Sequence, residues 1–162
     1  MDFKQILIFG LFLVPVLTSP CYEEDELQRA VDRRMRHQFQ QPLYSSSKES
    51  PAFCPVELYN NRSQDPKDRS ISPWRYVIRT LPDHFPSTYS EAECLCLGCI
   101  LIEDGPEADK RPVMSDAYNS VPVLQTKMFL NKRQCSDKNK YHLEPVYMKV
   151  AVGCTCVRPK PT

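Results

Sequence analysis

Apolar and polar positions along the 162 residues follow two different periods. In "YEEDELQRAVDRRMRHQFQQ" (Tyr22–Gln41), Leu27, Val31, Met35 and Phe39 recur every four residues, as on a narrow helical stripe. Acids come first and arginines later, the order the helix dipole favours. This segment is expected to be a marginal helix or a mobile arm outside the core. Beyond it the period becomes two. "WRYVIRT" (Trp74–Thr80), aromatic and β-branched between Pro73 and Pro82, predicts a strand. "SEAECLC" (Ser90–Cys96) predicts a second, stopping at Gly98, with the turn-rich "LPDHFPSTY" between them. "EDGPEADKRP" (Glu103–Pro112) reads as an exposed hairpin-type loop. Ser120–Lys132 and Tyr141–Val157 predict two longer strands, joined by the polar loop around "RQCSDKNK". In the last strand Val146, Met148, Val150, Val152, Cys154 and Cys156 share one face. Pro122 and Pro145 push parts of these strands to edges or bulges. No helix is expected after residue 42. The pattern is all-β, a small antiparallel arrangement of two hairpins.

The N-terminus breaks this pattern. In "MDFKQILIFGLFLVPVLTSP", Lys4 precedes an apolar run from Ile6 to Leu17. That run is too short for a bilayer core of about 30 Å and suits the apolar region of a signal peptide. Residues 1–20 are therefore expected to be a signal peptide on a secreted, extracellular protein. Cleavage falls between 18 and 21: a cut after Ser19 leaves Pro20 next, and a cut after Cys21 removes one cysteine. Residues 21–68 form the arm and a linker rich in Pro, Ser, Asn and Lys. Residues 69–157 form the folded domain and 158–162 a short tail. "RRMR" (Arg33–Arg36) matches a minimal Arg-x-x-Arg processing site, against the alternative of a solvated helix face. Asn61-Arg62-Ser63 is a glycosylation sequon in a hydrophilic stretch.

Charge changes the picture little, since a formal net charge of +1 offers no field for nucleic acid or anionic membrane. Four glycines against fifteen prolines argue against a glycine-cradled phosphate site. The eight cysteines matter more. In a secreted chain of this size they read as a disulfide framework. Cys154 and Cys156, at i and i+2 on a strand, leave one face about 7 Å apart, too far and too parallel to bond to each other. Each must reach another element, with Cys94, Cys96 and Cys99 as the natural partners. Four thiolates from these two clusters could also hold zinc, but structural zinc sites more often use Cys-x-x-Cys knuckles and occur in reducing compartments, whereas the signal peptide points to oxidation. A redox role lacks a βαβ setting for Cys96–Cys99. His37, His84 and His142 are scattered among polar residues, with no nucleophile elbow or paired-carboxylate motif. No active site, metal site or cofactor is expected.

"RSISPWRY" (Arg69–Tyr76), "EAECLCLGC" (Glu91–Cys99), "NSVPVLQ" (Asn119–Gln125) and "VAVGCTCV" (Val150–Val157) resemble, in order and spacing, motifs of the interleukin-17 cytokine family. The resemblance covers residues 69–157. It is strongest to the C branch, whose signature "RSISPWRY" resembles and whose mature start "CYEEDEL" resembles. It implies a secreted, disulfide-linked homodimer with a cystine-knot-like fold, acting on single-pass receptors. It also implies the bridges Cys94–Cys154 and Cys99–Cys156, with the third bridge of a full knot absent. Cys54 and Cys135 would cross between subunits, leaving Cys96 and Cys21 without an assigned partner. The C branch further implies an epithelial inflammatory cytokine recognised by the receptor E chain with the shared A chain. Trp74, Arg75, Tyr76 and Arg79 are the candidate receptor-binding residues, Trp74 having the alternative of packing a dimer core. A cystine-knot growth factor or antagonist is the competing reading, and a secreted enzyme with unseen residues the third.

Overall fold

A computed structural model describes residues 20–36, 53–57, 65–105 and 109–160. The expected signal peptide, Phe39 and the Asn61 sequon lie outside the described residues. The described chain orders as helix α1 (Glu24–Met35), helix α2 (Pro66–Arg69) and strands β1 (Trp74–Thr80), β2 (His84–Phe85), β3 (Thr88–Cys94), β4 (Cys99–Asp104), β5 (Lys110–Ser115), β6 (Asn119–Gln134) and β7 (Tyr141–Val157). These make small antiparallel sheets, β1 with β3, β4 with β5, and β2–β6–β7. The connection from β6 to β7 is too short for a parallel crossover, so those two strands are antiparallel as well. The class is all-β and cystine-knot-like.

The chain divides into two compact units. One contains 20–36 and Lys132–Glu144. Here α1 follows the predicted stripe: Leu27, Ala30, Val31 and Met35 are buried, with Glu24, Asp25 and Glu26 in the first turn and Arg33 and Arg34 in the last. The arm is thus not peripheral, as its periodicity alone suggested, because it has a surface to bury against. Tyr22 and Tyr141 exchange two backbone hydrogen bonds of 2.8 and 2.9 Å. Lys132 Nζ donates to both Glu24 carboxylate oxygens at 2.7 Å and stands 4.0 Å over the Tyr141 ring. An Arg34 guanidinium N–H donates to the Leu143 carbonyl at 2.6 Å. The Arg33–Arg36 motif accordingly forms the last helical turn, with Met35 buried, so a protease would have to unwind it.

The other unit contains the described residues between 53 and 131 and between 145 and 160. Its core holds Ile100, Phe129, Leu130 and Val150 with the sulfurs of Cys99 and Cys154. β1 pairs with β3 from Trp74↔Cys94 to Thr80↔Thr88. The second strand therefore starts two residues earlier than predicted and stops at Cys94, where Leu95 N–H turns to the Pro73 carbonyl at 3.0 Å. Between β1 and β3 the chain reaches β6 through β2, with Phe85 opposite Leu130. Of the expected hairpin-type loop Glu103–Pro112, Glu103 and Asp104 belong to β4 and Lys110–Pro112 to β5. β4 pairs with β5 from Cys99↔Ser115 to Asp104↔Lys110. Pro112 is tolerated because β5 is an edge strand and needs no N–H on its open side. Gly98 is required there, since a Cβ would collide with the Ser115 carbonyl oxygen. The one-turn α2 was too short to register as a period. Its signal is Asp65 before Pro66, with the Asp65 carboxylate accepting from the Lys67 N–H at 3.3 Å.

Candidate receptor-binding surface and its disulfide frame

β3 ends where the frame begins. Cys94 bonds to Cys154 (Cα–Cα 5.8 Å) and Cys99 to Cys156 (Cα–Cα 6.2 Å). The segment Cys94–Cys99 and the segment Cys154–Cys156 thus close a short covalent ring. The pairing of Cys54 with Cys135 across subunits is corrected. Cys54 bonds to Cys96, Cα–Cα 4.6 Å, and Cys21 bonds to Cys135, Cα–Cα 6.4 Å, all within one chain. No cysteine is free. The two cysteines without assigned partners are the partners. Cys96 lies beyond the end of β3 and so need not share the face of Cys94. Cys21 is brought to Cys135 by the Tyr22–Tyr141 bridge at the start of β7.

Alternation along β1 sorts the four candidate recognition residues onto two faces. Trp74 and Tyr76 face the inside of the unit, with their partners Cys94 and buried Ala92. The Trp74 ring lies on Gly153, where a Cβ would sit 3.4 Å from the indole. The Tyr76 hydroxyl donates to the Val152 carbonyl at 3.1 Å. These two side chains therefore fasten β1 to β7. Trp74 Nε1 is buried with no hydrogen-bond partner, as is Ser90 Oγ on the same face of β3.

The opposite face carries a charged ladder. Arg75 bonds Glu93 at 2.6 Å, directly across the register. Arg79 bonds Glu91 at 2.9 Å and approaches Glu93 at 3.9 Å. The hydrogen bond and charge of Glu91 raise the Arg79 pKa from its ordinary value. Tyr89, opposite Arg79, packs edge-on to Phe129 with ring centroids 5.2 Å apart. Burial first, and then the Glu91 charge, push its phenol up, while Arg79 pulls it down. Arg75 and Arg79 are thus presented to solvent as organised ion pairs, whose exposed heads suit contact with a partner rather than chemistry.

The sequence reading missed three further features. Leu97 is 87% exposed although it sits between buried Cys96 and Gly98. On β6, Pro122–Thr126 is exposed throughout, so Val123 and Leu124 are bare on opposite faces. His142 Nδ1 stands 3.7 Å from the Cys135 sulfur. Only the second had a signal, an uninterrupted apolar pair in a strand of period two. Among the described residues no His, Cys, Asp and Glu cluster could hold a metal, and no helix is long and apolar enough to cross a membrane.

Comparison with known proteins places this frame. The family model described as Interleukin-17 matches residues 70–158. Interleukin-17C of Mus musculus is 36% identical over 136 residues, covering 78% of this chain and 63% of that protein. Interleukin-17C of Homo sapiens is 36% identical over 140 residues, 81% and 63%. Interleukin-17F of Rattus norvegicus is 38% identical over 96 residues, 59% and 53%. The chain thus spans 63% of the length of the two interleukin-17C proteins.

Proposed function

Because the chain belongs to the interleukin-17 family, we propose that it is a secreted, non-enzymatic cytokine that assembles single-pass receptor chains as a homodimer. The relatives that match are interleukins rather than enzymes. The observation that carries the reading is the extent of the family match, which takes in β1, the charged ladder and the complete Cys94–Cys154, Cys99–Cys156 ring. Residues 1–20 act as the signal peptide, cut upstream of Cys21 so that Cys135 keeps its partner. Residues 69–157 are the signalling domain, and Asn61 carries a glycan. Dimer formation is supported by the β6 segment Pro122–Thr126, since Val123 and Leu124 are exposed on both faces of a single chain and Tyr147 of β7 is 67% exposed. A second copy covering this ribbon would bury them. With every cysteine already bonded, that dimer is non-covalent, the point at which this chain departs from the disulfide-linked form the resemblance implied.

Recognition is assigned to Arg75 and Arg79 on the ladder face, with Trp74 and Tyr76 positioning the strand that bears them. The partners are interleukin-17-type receptor chains, the E chain with the shared A chain, and inflammatory signalling at epithelia is the outcome. A dimer presents each patch twice and so gains effective concentration at a cell surface. The test is binding of the purified protein to immobilised ectodomains of those receptor chains, singly and together. Arg75→Gln with Arg79→Gln is the appropriate variant, because Glu at either position would set like charges against Glu91 and Glu93. Affinity is expected to fall about tenfold. Undiminished affinity in the folded variant would move the site off this face, and failure of the wild type to bind any such receptor would favour the antagonist reading.

A further inference from the structure

We propose that Cys21–Cys135 is a thiol-exchange site, opened by an extracellular dithiol with His142 assisting the departure of the Cys135 sulfur. The four bridges are not equally accessible. Three include a buried cysteine, Cys96, Cys99 or Cys154. Cys21 is exposed and Cys135 half-buried, so of the four bridges this is the one with no buried cysteine and with an exposed one to offer an incoming thiolate. His142 Nδ1 is within hydrogen-bonding distance of the Cys135 sulfur, at 3.7 Å. A thiol whose thiolate is stabilised leaves faster in exchange, and a neighbouring histidine is one of the groups that does this. The two observations point the same way: attack at the sulfur of the exposed residue, departure of the histidine-supported one.

The reaction balances without further reagents. One thiolate of the dithiol attacks Cys21 Sγ, and the electron pair of the cystine bond leaves on Cys135 Sγ. A mixed disulfide then joins the reagent to Cys21. The reagent's second thiolate attacks its own sulfur in that bond, forming the reagent's disulfide and expelling the Cys21 thiolate. Two electrons and, once the thiolates are protonated, two protons pass to the protein. Among the described residues this is the sole covalent tie between α1 and the Lys132–Glu144 segment. Opening it leaves α1 held by the Tyr22–Tyr141 bridge, the Lys132–Glu24 pair and the Arg34–Leu143 bond.

The experiment treats the folded, oxidised protein with graded glutathione, a monothiol that traps the first step, and with dithiothreitol for the full reduction. Free thiols are then alkylated and the peptides mapped. Cys21 and Cys135 are expected to be alkylated first with dithiothreitol, the other six cysteines remaining paired, and the glutathione adduct is expected on Cys21. His142→Asn should slow opening about threefold and spread the adduct over both sulfurs, a change of position that a purely structural role for the imidazole would not produce. Hydrogen exchange of Glu24–Met35 should rise once the bond opens. Opening of Cys54–Cys96 or of either ring bridge at equal or lower reductant would overturn the assignment of the site. An adduct mainly on Cys135, or an unaltered rate and position in the variant, would overturn the role of His142. The wild-type map decides the first point even if the variant folds poorly.

Discussion

Removing the two ring bridges should be strongly cooperative. Cys94–Cys154 and Cys99–Cys156 have sequence separations of 60 and 57. Either one alone closes a loop worth about 4 kcal/mol in the chain-entropy model. Once one has formed, the other closes only the ring Cys94–Cys99 with Cys154–Cys156, worth about 2.5 kcal/mol. Replacing one pair by alanine should therefore cost about 2.5 kcal/mol, and replacing both about 7 kcal/mol, more than the two single losses combined. The holes left by the sulfurs largely cancel in the cycle, because each appears once alone and once in the combined variant. Urea unfolding followed by the fluorescence of Trp74, the one tryptophan, reports the outcome. Each paired variant should keep a cooperative transition at lower urea. The combined variant should lose about half or more of a typical domain stability of 5–15 kcal/mol. If either pair alone abolished the transition, or if the combined loss merely equalled the sum, the shared-ring reasoning would be wrong.

The protein should run as a monomer on a denaturing gel without reductant yet have a dimer's mass in native solution; a reductant-sensitive dimer band would contradict the intrachain pairing. Tyr76→Phe removes the bond to the Val152 carbonyl and should cost about 1 kcal/mol in denaturant unfolding, whereas an unchanged midpoint would show that β1 is held to β7 by other contacts. The raised Tyr89 pKa means that the folded protein keeps this proton after the unfolded chain has lost it. Its contribution to stability is therefore complete below the ordinary value of 10.0 and declines as pH rises through the folded value. Tyr89→Phe should flatten that alkaline limb in unfolding measured between about pH 9 and 11; an identical limb in the variant would assign it to another group.

How legible was this molecule? β1, β6 and β7 were readable because each has a long period-two run bounded by proline or polar loops. The strands β4 and β5 were not, although Glu103–Pro112 read as a hairpin-type loop. "CILIED" has no alternation, since Ile100 is fully buried while Ile102 is half exposed at the strand's free end. The proline in β5 then looked like a loop residue because nothing local shows that its strand lies at an edge. The helix stripe was visible in α1, but its burial was not, because the hydrogen bonds that seat the helix join Glu24 to Lys132 and Arg34 to Leu143, more than a hundred positions away in the chain. The same distance hid Cys21–Cys135, with its separation of 114. The sequence reading groups the candidate recognition residues Trp74, Arg75, Tyr76 and Arg79 together, and only the structure puts Trp74 and Tyr76 on one face and Arg75 and Arg79 on the other. Which face looks inward depended on Gly153 and Val152, which no local pattern reveals.

Cys96 has a consequence for how the molecule is made. Eight cysteines admit 105 complete pairings, and three of these cysteines crowd into "CLCLGC". Before β3 and β4 form, Cys94, Cys96 and Cys99 are free to meet each other and any newly arrived partner. Under the proposed secretion, any wrong bridge among these three has to be reshuffled before the native pairs can form, a step whose rate depends on oxidant and isomerase. Cys54 then does more than add a fourth bond, because it withdraws Cys96 from that exchange. A Cys54→Ser chain would carry a permanent thiol between two native half-cystines. Its failure would be one of production: scrambled isomers accumulating during oxidation and a smaller secreted fraction, even where the properly paired product is stable once formed.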